Sequence, residues 1–152
     1  MRILIIANAT HSAKKNIKLT ENKIKLYDYF LKFPHTMFGE VVFDLALKAD
    51  INEYYAFFHW KPDIIRYRRS LNYLIAKGLM ERQVEDEKSF YVLTETGTEA
   101  ISNLNSTYKQ RLTLVAQKTI QEVSKLSDSK IEEAIQKKSN IMMRKRGVAS
   151  EG

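Results

Sequence analysis

The spacing of the apolar residues changes once, abruptly, at Gly78, and that change confines the chain to a small set of folds. From Asp63 to Lys77 the pattern is helical: Ile64, Tyr67, Leu71, Leu74 and Ile75 share one face, while Arg66, Arg69, Tyr73 and Lys77 lie on the opposite one. Pro62 suits the entry to such a helix and Asp63 complements its dipole. Gly78 follows as the residue best able to take the left-handed conformation that ends a helix. Beyond it the period is two. Leu79 to Val84 reads as one strand, Ser89 to Leu93 as a second, and Glu85-Asp86-Glu87-Lys88 as the turn between them. Thr94-Glu95-Thr96-Gly97-Thr98 then opens another helix, with Thr94 or Thr96 as its cap. The fold class that follows is mostly α with a small β-hairpin, an α+β chain.

The flanking segments extend this pattern. Thr20 is suited to cap a helix carrying Ile24, Tyr27 and Leu31, which Pro34 ends, because the residue before a proline is pushed out of the helical region. Val41, Val42, Leu45 and Leu47 read as an extra short helix, Ile51 to Phe58 as an aromatic-rich segment, and residues 59–63 as a turn. After Thr94 one long helix is expected, with Ile101, Leu104, Tyr108, Leu112 and Val115 on a stripe that Ile120, Val123 and Leu126 continue. Ser127-Asp128 breaks that stripe and starts a last amphipathic helix with Ile131, Ala134, Ile135 and Met142. There is no internal repeat and no low-complexity segment.

Composition narrows the function classes. The chain has no cysteine, so disulfides and cysteine-ligated zinc are excluded and a cytoplasmic location is expected. The opening Met1 to Ala7 is too short an apolar run for a signal peptide and reads as a buried strand or short helix, and no run is long enough to predict a membrane span. His11, His35 and His59 are too dispersed to suggest a metal site, no glycine-rich phosphate loop exists, and no nucleophile–base arrangement stands out. No enzymatic activity, cofactor, metal or small-molecule substrate is therefore expected.

The formal charge of +7 is concentrated. Lys137, Lys138, Arg144, Lys145 and Arg146 form a run free of acids, and without those five residues the balance falls to +2. This run reads either as a solvated, mobile tail or as a basic arm that contacts phosphates. The second candidate surface is the polar face of the 63–77 helix, where Arg66, Arg69, Asn72, Tyr73 and Lys77 have the chemistry for base edges and phosphates. The hairpin tip, with Glu85, Asp86 and Glu87, is acidic and would repel a phosphate.

The order of helix, Lys77-Gly78-Leu79, hairpin, and Tyr91-Val92-Leu93-Thr94-Glu95-Thr96-Gly97 resembles the winged-helix superfamily over about residues 50–100. Leu71, Leu74, Gly78, Leu79, Met80, Tyr91, Leu93, Thr94 and Gly97 occupy the positions of its common pattern. The resemblance implies a winged helix-turn-helix followed by long C-terminal helices. The chain then divides into an N-terminal strand or arm (1–19), a winged-helix domain (20–97), a helical extension (98–136) and a basic flexible tail (137–152). More narrowly, the segment from Lys23 to Met37 resembles the middle components of three-component ABC-ATPase systems, the Lamassu-like antiphage group. That resemblance implies a subunit seated on an SMC-like ATPase, bridging it to an effector and to double-stranded DNA, and it carries over no catalytic residue. The alternative is a homodimeric winged-helix transcription regulator. A regulator calls for a basic wing; the acidic tip favours the adaptor.

Overall fold

A computed structural model describes residues 1–59 and 64–151; the side chains of 58, 59 and 146–151 fall outside that description, as do residues 60–63 of the turn expected at 59–63, with the helix entry at Pro62-Asp63. The elements run α1 (Arg2–Ser12), α2 (Glu21–Lys32), α3 (Pro34–Phe38), β1 (Val41–Val42), β2 (Leu45–Ala46), α4 (Ile51–Tyr54), a 3-10 turn (Ala56–His59), α5 (Ile64–Ala76), β3 (Met80–Glu85), β4 (Lys88–Leu93), α6 (Glu95–Ser102), α7 (Thr107–Val123) and α8 (Asp128–Glu151). The two antiparallel hairpins are separate sheets, and helices make up most of the rest.

The junction around Gly78 forms as its residues require. Leu74 and Leu71 are buried, and Gly78 has φ +72°. The Leu79 amide donates to the Leu74 carbonyl (2.9 Å) and the Gly78 amide to the Ile75 carbonyl (2.9 Å), the paired bonds of a Schellman end. β3 pairs with β4 from Met80↔Leu93 to Glu85↔Lys88. Asp86 and Glu87 make the two-residue turn with φ of +51° and +65°, without the glycine such a turn prefers. The Thr94 hydroxyl accepts from the Gly97 amide (3.0 Å) and donates to the Gly78 carbonyl (2.6 Å), so one side chain caps α6 and fastens it to the end of α5.

Gly97 is required for a different reason. A Cβ there would lie 2.1 Å from the Leu79 carbonyl oxygen and 2.8 Å from Leu93 Cδ1. Backbone cannot retreat as a flexible side chain can, so Gly97→Ala is expected to destabilise the chain by about 2–3 kcal/mol, the upper part of the overpacking range. Urea unfolding monitored by circular dichroism tests this; a midpoint unchanged from wild type would contradict it.

Several expectations are corrected. Of the two forms expected for Met1 to Ala7, a buried strand or a short helix, the helix is the one that forms: residues 2–12 are helical, not the strand or arm assigned to 1–19, and Ile3 through Ala7 are all buried. The β-branched run suits a strand, but α1 packs against α2, α7, α6 and β4, and a helix covered over most of its surface needs little polar face. Residues 41–47 are not helical. They form the β1–β2 hairpin, with Val41 opposite Ala46 and a turn at Phe43-Asp44. The long helix after Thr94 is two helices: Ser106 caps α7 through the Lys109 amide (3.0 Å), and Asn103 to Ser106 supply the break. Ile64, expected in the core, is 42% exposed. Residues 137–145, expected as a mobile tail, continue α8, where Ser139 and Met142 are buried.

One apolar core runs from α1 and α2 through α5, α7 and α8. α8 is pinned at both ends of its packed length. Asp128 accepts from Lys23 Nζ (2.6 Å) and Asn22 Nδ2 (2.7 Å), and Lys138 Nζ donates to the Met37 carbonyl (2.5 Å). Buried Glu53 accepts from the amides of His35 and Thr36 at the start of α3; burial raises its pKa, and those bonds draw it partly back. The Tyr91 amide donates to the Leu19 carbonyl (2.9 Å), tying the segment before α2 to the outer edge of β4.

Candidate functional site

The exposed face of α5 forms one wall of a groove of about 610 Å3. Arg66, Arg69, Ser70 and Tyr73 come from α5, Asp28 and Lys32 from α2, Met1 and Arg2 from the start of α1, and Tyr108 from the first turn of α7. The helical period explains the α5 wall: with Tyr67, Leu71 and Leu74 turned to the core, the positions between them face out.

Beneath the groove lies a buried carboxylate. Asp28 is 1% exposed and receives Arg2 Nε at 2.6 Å and Arg2 Nη2 at 3.4 Å. The Tyr67 hydroxyl donates to Oδ2, the oxygen that Arg2 Nη2 also reaches, and Lys32 Nζ stands 3.6 Å from it. Burial first, then the Asp28 charge, hold the Tyr67 phenol well above its usual pKa, so it remains a donor. The arrangement ties α1, α2 and α5 together at one point. It also fixes Arg2 at the rim while neutralising only part of the positive charge gathered there.

Arg66 and Arg69 pair with no carboxylate among the described residues, whereas their neighbour Arg68 bonds Glu21 on the other side of the helix (3.2 Å). Tyr73 is 60% exposed, with Lys77 Nζ 5.6 Å from its ring centre, and Tyr108 is 54% exposed. The groove is thus a cationic concavity edged by two tyrosines, suited to a polyanion or to an acidic protein surface. At the tip of the β3–β4 hairpin, Glu85, Asp86 and Glu87 are exposed, and Lys18 pairs with Glu85 at 2.8 Å; Glu81 is exposed near the hairpin's base.

Of the residues singled out in the sequence, the groove gathers Arg66, Arg69 and Tyr73. Asn72 on α5 and Lys77 just past its end are exposed without lining it. The C-terminal basic residues are elsewhere. Lys138 and Lys145 line a second groove that shares no residue with the first, Lys137 and Arg144 are exposed on α8, and the Arg146 side chain is outside the described residues. Arg2, Asp28, Lys32 and Tyr108 were not legible as site residues. They reach the groove only because α1 and α7 pack beside α2, a tertiary fact with no local signature.

Among the described residues no group of histidines and carboxylates could hold a metal ion, and no helix is long and apolar enough to cross a membrane. A family model described as ABC-three component (ABC-3C) system Middle Component 2 matches residues 1–145. No curated protein and no solved structure matches the chain.

Proposed function

The chain belongs to the Middle Component 2 family of ABC-three component systems, and we propose on that premise that it is a non-enzymatic adaptor. A middle component of such a system works with protein partners. In this reading the partners are an SMC-like ATPase and an effector, the assembly acts in antiphage defence in the cytoplasm, and the adaptor helps it hold double-stranded DNA. The α4–α5 segment and the β3–β4 hairpin act as a winged helix, with α5 as the helix presented to DNA.

The observation that carries the DNA half of this reading is the cationic groove: Arg2, Lys32, Arg66 and Arg69 converge on one concavity. Affinity that rests on a few phosphate contacts is sequence-independent and salt-sensitive. The isolated chain is therefore expected to bind duplex DNA weakly, at roughly micromolar Kd or worse near physiological salt, and without sequence preference.

Co-purification from the native operon, followed by mass spectrometry and a salt titration of DNA binding, tests both halves. The expected result is a complex with an ATPase component that binds DNA more tightly than the chain alone. A free homodimer that binds one DNA sequence tightly, with each wrong base pair costing about 1–3 kcal/mol, would favour a transcription regulator instead.

A further inference from the structure

We propose that the second groove, between α3, the β1–β2 hairpin and the middle of α8, seats an acidic segment of another protein component, one that carries large apolar side chains. The inference rests on the adaptor reading and concerns a surface separate from the α5 groove.

The groove holds about 520 Å3 and has an apolar floor that includes Met37, Phe38 and Met142. Its mouth carries more apolar surface than a solvated wall needs: Val41 is 58% exposed and Ile141 is 44% exposed. Beside Val41, Phe43 is 48% exposed and stands at φ +45°, in the left-handed region that bulky residues rarely enter. The hairpin turn thus holds an aromatic ring outward at the edge of the groove, where Lys118 Nζ lies 5.8 Å from its centre. An exposed aromatic and aliphatic cluster beside a concavity is characteristic of a protein-binding site.

Charge selects the occupant. Lys118, Lys138 and Lys145 line the groove. The one carboxylate among its lining residues, Glu122, pairs with Lys118 at 2.7 Å, so those two charges offset each other and Lys138 and Lys145 leave the groove with a positive surplus. Lys138 rests on a neutral carbonyl, and no described residue pairs with Lys145. A segment that covers Val41, Phe43 and Ile141 must therefore be apolar, and one that meets Lys138 and Lys145 must bring carboxylates. Duplex DNA would satisfy the lysines but leave the hydrocarbon against sugar and phosphate. A second copy of this chain docking through the same face would set lysine against lysine, because a two-fold interface is self-complementary.

The test uses the complex assembled from its own operon. The photo-crosslinker p-benzoylphenylalanine is placed at position 43, at position 141, and, for comparison, at position 73 in the α5 groove. Crosslinks from 43 and 141 are expected to map to one carboxylate-rich peptide of a different component. The exposed-site double variant Val41→Glu/Ile141→Glu should then reduce retention of that component by at least about tenfold. Its far-ultraviolet dichroism and its α5-groove DNA capture should stay unchanged. Crosslinks to a second copy or to DNA would overturn the inference. So would an assembled complex with no crosslink from either position, or retention that the double variant leaves intact. If no component co-purifies with the wild-type chain, the adaptor reading itself fails, which is distinct from the failure of this groove alone.

Discussion

Asp28→Ala is expected to lower the thermal midpoint by about 6–12 °C. Removing one partner of a buried ion pair costs about 3–5 kcal/mol, because the remaining charges stay desolvated without compensation. Arg2 is 38% exposed and can recover some hydration, which sets the expectation near the lower figure, about 3 kcal/mol. For a chain of this length each kcal/mol moves the midpoint by about 2–4 °C. Asp28→Asn keeps an acceptor for the Tyr67 hydroxyl and should cost clearly less. Tyr67→Phe removes one donor while Arg2 and Lys32 remain, and should cost about 1–1.5 kcal/mol. Because these groups share one network, Asp28→Asn/Tyr67→Phe should not equal the sum of its parts. Differential scanning calorimetry of the four variants reads this directly. An Asp28→Ala midpoint within 2–3 °C of wild type would mean that the buried carboxylate is dispensable, and that α1 is held by its apolar face alone. The same variant separates fold from site: Asp28 reaches Arg2 from below, so its removal adds positive charge to the groove and should not weaken DNA capture at temperatures where the chain is folded.

The parts of the fold legible in the sequence are those where local signals agree with tertiary packing. In α5 and the β3–β4 hairpin, periodicity, Gly78, Thr94 and Gly97 all point the same way, and the Gly97 contact with Leu79 explains why the last glycine is needed there. The β1–β2 hairpin was illegible for the converse reason. Its four apolar residues have a spacing that fits a helix, and its turn uses Phe43 and Asp44 at positive φ, where glycine or asparagine would have announced it. In α1 the isoleucine run favours a strand, and only packing against α2, α6, α7 and β4 makes a helix with so little polar surface the stable form. The basic run at 137–146 misled in a different way. Charge count suggests disorder, but Ile131, Ile135, Ser139 and Met142 recur at helical spacing and bury one side of α8. On the candidate site, side-chain chemistry identified the α5 wall. The opposite wall depends on where Arg2 and Tyr108 arrive, which one helix's pattern does not encode.

The double reversal Arg66→Glu/Arg69→Glu is expected to reduce DNA capture by the assembled complex by roughly 30-fold or more at about 0.15 M salt. Each phosphate contact contributes about 0.9 to the slope of log K against log salt, so losing two contacts at that salt costs about one and a half logarithmic units, before any repulsion from the new carboxylates. The slope itself should flatten by about 1.8, a readout that a general loss of folded protein would not mimic. Both side chains are exposed and neither pairs with a described carboxylate, so the thermal midpoint should move little. Arg68→Glu is the matched control: it sits on the same helix but bonds Glu21 away from the groove, and it should leave the salt slope almost unchanged. Reversing Glu85, Asp86 and Glu87 to lysine should raise affinity if the hairpin tip lies near the duplex and do nothing if it points away, which measures the approach of DNA to the tip. If the double reversal leaves capture and slope intact while the complex still binds DNA, the α5 groove is not the phosphate-contacting surface, and its arginines are better sought in contact with an acidic face of a protein partner.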